Sequence, residues 1–388
     1  MLTDALCAGP RAGARLALVQ RQLGRYAGCR RATVRRLAAR HPYLADLAVS
    51  FPALLFALAV PRRGFAPEPV IAEATAGAPL ARLSELAQVP AWLRKLPPEA
   101  FVRALPDLPD GNVWRRRIAN HLPRSPRLAP AWLQAVADAA EAGGEPFALW
   151  VAREMARNPK AVPPGCLRGV GLWAWFSRQP GTRAHALILR RWSPRLSFAA
   201  ALSAASRWHV QVALRLQLGD RPLGDTWLRP CRVAGYDFVP LATADDVAGE
   251  AAAMKNCVAE YGRTLAHDRS RVWSMRRDGV RVATLQVART GRDPLPNIVQ
   301  LEAAGNRRAG VEVWWAARQW LNAHDLPRLE TDARSWDTVP LDRETWVALW
   351  RPWWLALRRI PEWLPLRPSR RVFVALLGRA DPGRILWF

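Results

Sequence analysis

The chain has 388 residues, half of them apolar and 23% charged, which suits two or three packed cores and excludes a wholly disordered chain. Its net charge of +25 comes from 57 basic against 32 acidic residues, and three of the basic residues are lysines, the other 54 arginines. Arginine on this scale also accompanies GC-rich coding, yet a surface this basic attracts polyanions whatever its codon history, so nucleic acid is the expected partner, with an acidic protein second.

The five cysteines (Cys7, Cys29, Cys166, Cys231, Cys257) are scattered, with no C-x-x-C pair. That argues against a disulfide framework or a structural zinc site and predicts a reducing cytoplasm. The chain opens without a basic segment followed by an apolar core, so no signal peptide is expected. The most apolar run, 47–60, contains Pro52 and falls short of the ~20 residues a membrane span needs. It reads as buried helix, and no membrane contact is predicted.

Residues 11–40 carry nine arginines and no acid. Arg11/Arg15, Arg21/Arg25 and Arg31/Arg35 stand four apart, while Leu16, Val19, Leu23 and Tyr26 supply an apolar side. This predicts a helix with a basic face, and Arg21, Arg25, Arg30, Arg31, Arg35 and Arg36 as candidate nucleic-acid contacts. The bland alternative is a solvated helix face.

From 44 to 230 the pattern stays helical, with Pro and Gly breaks; Pro146 marks one helix start and Asn158-Pro159 one stop. P-A-W-L at 90–93 recurs at 130–133 without a fixed period. Trp150, Trp173, Trp175, Trp192 and Trp208 read as core.

After Pro230 the character changes. Residues 236–241 look strand-like, and Thr243 and Asp245 are placed to cap a helix over 248–255. Two β-rich runs, 271–276 and 280–288, flank Asp278-Gly279, a strong hairpin signal. A loop at 290–297 leads to a third run at 298–301, and Gly310 precedes a periodic helix at 311–324. Val311, Trp314, Trp315 and Ala317 to Leu321 are its expected apolar side. In the tail, Trp346, Trp350 and Trp354 stripe one helical face that Pro352 is expected to disturb. With Trp336, Trp353, Trp363 and Trp387 they read as core, or else as a surface stacking on bases, lipids or an acidic partner.

The predicted fold is therefore α+β. A basic helical segment (1–43) and an all-α region (44–230) precede a small α+β domain (231–325) built on a three-stranded antiparallel meander. A Trp/Arg-rich helical tail (326–388) follows.

The chemically varied stretch is 249–306, where Cys257, Tyr261, Gln300 and Asn306 stand at turning points between a helix and strands. It resembles the PcfJ-like family of conjugative plasmids and related mobile elements. Met254, Cys257, Val258 and Tyr261 match that family's M-x-H-C-V-G-x-Y element. Ser274 and Arg276 match its first strand, Thr284 its second, and Gln300 with Asn306 its Q-x-x-G-x-x-N. Asn256, Ala259 and Ala303 depart from the family's His, Gly and Gly. The resemblance implies a mobile-element context and no established activity.

Read as a site, 249–306 offers Cys257 as a nucleophile with Tyr261 beside it. Gln300 and Asn306 would bind substrate, and Arg276 or Arg307 would hold an anion at the rim. Read as structure, Cys257 is a small buried hydrophobe. Asn256 cannot serve as its base, and neither His267 nor His324 has a diagnostic spacing. Glu250, Glu260, Glu302 and Asp332 have no spacing that selects a metal pocket, and Asp245/Asp246 read as a cap. No nucleotide-binding, zinc-hydrolase or serine-hydrolase motif occurs, so no cofactor or metal is predicted. Three readings stay open: an accessory protein that binds nucleic acid non-enzymatically, an enzyme acting on nucleic acid or a nucleotide through this site, and a protein–protein module.

Overall fold

Helix breaks in the N-terminal half follow its prolines. In the computed structural model, which describes residues 10–163, 165–220, 222–290, 293–329 and 341–376, the chain divides into two compact units. The first comprises Met1–Trp175 with Trp192–Leu202, the second Phe176–Arg191 with Ser203–Phe388. Cys7, Trp336, Asp332 and Trp387, singled out above, lie outside the described residues.

The first unit is helical: α1 (Pro10–Gly24), α2 (Gly28–Ala38), α3 (Pro42–Ser50), α4 (Pro52–Ala59), α5 (Glu68–Thr75), α6 (Leu80–Ala87), α7 (Asn112–Arg116), α8 (Ala129–Gly143) and α9 (Glu145–Arg157), with α10 (Leu167–Phe176) leading out of it. Pro42, Pro52 and Pro146 each stand in the first turn of a helix, where the missing N–H costs nothing. The apolar run 47–60 is two helices rather than one. Phe51 (φ −155°, ψ 73°) separates α3 from α4, because the residue before a proline avoids the α region. The basic stretch is likewise split, α1 from α2. Tyr26 fills the break, buried, its hydroxyl donating to the Pro52 carbonyl at 2.9 Å. Val19 and Leu23 are buried as expected, but Leu16 is 62% exposed. Trp92 and Trp132, from the two P-A-W-L segments, meet edge to face at 6.4 Å in the core. Their backbones differ, a 3-10 turn over Ala91–Lys95 against the α-helix α8, so they are not copies of one repeat.

In the second unit, α11 (Arg183–Ala186) and the end of α12 (Phe198–Leu218) precede a six-stranded antiparallel sheet. Its strands pair in chain order: β1 (Cys231–Val233), β2 (Tyr236–Pro240), β3 (Ser270–Arg277), β4 (Val280–Arg289), β5 (Pro296–Ala303) and β6 (Arg307–Arg308). The expected three-stranded meander is only its middle, β3 to β5. Strands of two or three residues, β1 and β6, are too short to show alternation in sequence. The β3–β4 turn is at Asp278-Gly279, both with positive φ (51° and 80°), as a two-residue hairpin of the right twist demands.

Alternation then sorts the sheet's faces. Phe238, Trp273, Met275, Leu285, Val287 and Leu301 pack against Val313, Ala316, Ala317, Trp320 and Leu321 of α15 (Val311–Asn322). That corrects the expected apolar side of the helix: Val311 and Trp315 are 84% and 57% exposed. Trp320 sets the rotation by stacking on Phe238 at 4.5 Å and meeting Trp273 at 4.9 Å. On the opposite face Val272 packs with Val247 and Ala251 of α13 (Ala244–Met254), and with Val258, Ala259 and Leu265 of the turns that follow. The last of those turns is the short helix α14 (Gly262–Ala266).

In the tail, α16 (Arg343–Leu357) runs through Pro352 instead of breaking there. Trp346, Trp350, Trp353 and Trp354 are all buried, and this packing offsets the backbone bond that proline forfeits. The Trp346 and Trp354 indoles donate to the Pro365 and Leu364 carbonyls at 2.8 and 3.0 Å. A short helix, α17 (Arg370–Ala375), ends the described tail. Among the described residues no helix is long and apolar enough to cross a membrane.

Candidate functional site

The face of β3–β5 opposite α15 is polar toward one end, because Thr284, Gln286, Gln300 and Glu302 alternate with the buried Leu285 and Leu301. Over these side chains lies the turn that leaves α13. That helix is capped at its start by Thr243 and Asp246, each side chain bonded to the other's backbone N–H. Asp245, the other half of the expected acid pair, forms an ion pair with Arg215. The helix ends at Lys255, whose φ of 51° turns the chain sharply so that Asn256 and Cys257 point back over the sheet.

A chain of polar contacts pins this turn. Asn256 Nδ2 donates to Thr284 Oγ1 at 2.8 Å, and the Thr284 hydroxyl donates to Glu250 Oε1 at 2.9 Å. Glu250 is fully buried and its second oxygen accepts from Arg281 Nε at 2.8 Å. The β5–β6 turn is tied in as well. The Gly305 amide donates to the Met254 carbonyl at 2.7 Å, and the Cys257 amide to Asn306 Oδ1 at 3.2 Å. Asn306 has a φ of 57°, a conformation asparagine tolerates, so a turn alone accounts for its presence.

Between these elements is a shallow cleft of about 220 Å³, open to solvent, lined by Cys257, Tyr261, Gln300 and Asn306 together with Asn256, Thr284, Gln286 and Glu302. The four residues singled out from sequence thus converge. The Tyr261 hydroxyl donates to Gln300 Oε1 and lies 3.8 Å from Cys257 Sγ. Gln300 Nε2 donates to Glu302 Oε1 at 2.6 Å. The two expected rim arginines do not line the cleft. Arg276 Nε reaches Ser274 Oγ at 3.2 Å, and Arg307 Nε turns back to the Ala304 carbonyl at 2.9 Å. Gln286 escaped the sequence reading, although strand alternation places it with Thr284.

The chemistry of Cys257 follows from this setting. Burial pushes its thiol up from the ordinary range, and the Glu260 and Glu302 carboxylates push the same way, against the Tyr261 hydroxyl contact. Burial raises the Tyr261 phenol as well, with the neighbouring thiol adding to it. Both groups therefore hold their protons at neutral pH, and a protonated thiol is a poor nucleophile. No histidine lines the cleft. His324 is engaged elsewhere, its ring nitrogens 2.8 and 3.1 Å from the Trp320 and Arg229 carbonyls. Among the described residues no group of three His, Cys, Asp or Glu is placed to hold a metal ion.

The six N-terminal arginines fall into two sets. Arg25 pairs with Glu99 at 2.8 Å, Arg31 Nε donates to the Tyr26 carbonyl at 3.2 Å, and Arg30 Nε to the Val102 carbonyl at 3.4 Å. Arg15 and Arg40 are likewise paired, with Asp46 and Glu68. Arg21, Arg35 and Arg36 are exposed and form no ion pair among the described residues. Comparison with protein-family models, curated proteins and solved structures finds no match to this chain.

Proposed function

We propose that this protein binds nucleic acid non-enzymatically in the cytoplasm, as an accessory factor of the mobile-element kind that the PcfJ-like resemblance implies. The observation that carries the reading is the set of exposed arginines, Arg21, Arg35 and Arg36, on α1 and α2 within an acid-free stretch of a chain of net charge +25. Arginines already spent on Asp46, Glu99 and Glu68 add little to an interface, because their charge is answered within the fold. Unpaired guanidinium groups have their donors available for phosphate oxygens. Catalysis by Cys257 receives no support from a thiol held protonated with no histidine lining its cleft.

The test is fluorescence anisotropy of a labelled oligonucleotide with wild-type protein and with an Arg21→Ala/Arg35→Ala/Arg36→Ala variant. The variant is expected to bind at least about tenfold more weakly, a loss of ~1.4 kcal/mol or more. Equal affinity of the two proteins would remove these residues from the interface.

A further inference from the structure

The geometry points to a guanidinium-binding site in the cleft, with Glu302 as its carboxylate and Gln286 as its second contact. The cleft runs against the charge of the molecule. In a chain of 57 basic residues its lining contains none among the described residues, and among them it contains one carboxylate, Glu302. Glu302 is half-buried and forms no ion pair among the described residues, though Arg308 stands opposite it across the β5–β6 ladder. One of its oxygens accepts from Gln300; Oε2 accepts no hydrogen bond among the described residues. The Gln286 side chain, also half-buried, makes no hydrogen bond among them either. Both side chains therefore turn unused acceptors, one of them charged, toward the open cleft, where an N–H donor can reach them.

Charge and size narrow the class. A phosphate is repelled by Glu302 and finds no basic residue in the lining. A nucleotide is too large for a shallow cleft of about 220 Å³ that includes its open mouth, which leaves a single small head group lying across that mouth. Thr284 pairs with Glu302 and Gln286 with Gln300, so Gln286 and Glu302 are diagonal neighbours on one face of β4–β5. Such neighbours lie ~7–8 Å apart at their backbones, within reach of each other's side chains. A planar fork of N–H donors bridges carboxylate and carboxamide oxygens over that span; the compact ammonium of lysine meets one at a time. The site is independent of the nucleic-acid reading, and its test contains no nucleic acid.

The full-length protein is titrated by calorimetry with N-acetyl-arginine amide, free L-arginine, N-acetyl-lysine amide and AMP. Blocked arginine is expected to saturate the protein, Glu302→Gln to weaken it by about tenfold, and blocked lysine to bind several-fold more weakly than blocked arginine. AMP is expected not to compete. Gln286→Ala is the second variant, with the same direction expected, should Glu302→Gln fail to fold. Equal binding of free and blocked arginine identifies an arginine side chain of a peptide as the ligand; preference for the free form identifies the amino acid. Binding unchanged in the variants, displacement by AMP, or no saturation by either arginine would overturn the assignment.

Discussion

Cys257 and Glu302 decide what the cleft can do. The folded thiol holds its proton more tightly than the unfolded one, because burial and two carboxylates oppose the thiolate. Its contribution to stability is therefore complete below the ordinary thiol range and is lost as pH rises through the raised, folded value. Iodoacetamide should alkylate Cys257 more slowly than a free cysteine at pH 7.5, with the rate climbing only at more alkaline pH; mass spectrometry of the 249–306 region reads this directly. Faster alkylation than a free cysteine at neutral pH would reinstate an activated nucleophile. Asn256 donates to Thr284 and accepts from the Val258 amide at 3.3 Å, holding the turn over Glu250.

The helix α15 gives a sharp comparison within one element. Trp320→Ala removes an indole stacked on Phe238 and packed on Trp273, and should cost about 3–5 kcal/mol in chemical denaturation. Trp315→Ala, five residues earlier on the exposed side, should stay within about 0.5 kcal/mol. Comparable losses for both would mean that the helix is rotated from the position described. These two tryptophans also show what is and is not legible in sequence. The helix itself is announced by Gly310 and its periodicity, but an abundance of apolar residues blurs which stripe faces inward. The β3–β4 hairpin is plain at Asp278-Gly279 because turn chemistry is local. The outer strands β1 and β6 are hidden, since two or three residues carry no period and their pairing depends on neighbours already in place. Convergence of Cys257, Tyr261, Gln300 and Asn306 is legible because polar residues at element ends must find partners. The places of Arg276 and Arg307 are not, since long side chains choose among nearby acceptors that only the fold supplies.

At the level of the molecule, charge is distributed unevenly in function as well as in number. Much of the arginine in 11–40 is absorbed by Asp46, Glu68, Glu99 and backbone carbonyls, so net charge overstates the surface available to a polyanion. Of the tail tryptophans that sequence left open to base or lipid stacking, Trp346, Trp350, Trp353 and Trp354 are buried in α16, so arginine rather than stacking by these four carries nucleic-acid binding in this account. Phosphate contacts made this way release condensed counterions, and each adds close to one unit to the slope of log affinity against log salt. The most direct measurement is that slope, from anisotropy titrations of a labelled oligonucleotide between ~50 and ~200 mM salt. The account predicts affinity falling steeply with salt for the wild type, with a slope shallower by about three units when Arg21, Arg35 and Arg36 are replaced by alanine. Tight binding that ignores salt, or no binding even at the lowest salt, would contradict it.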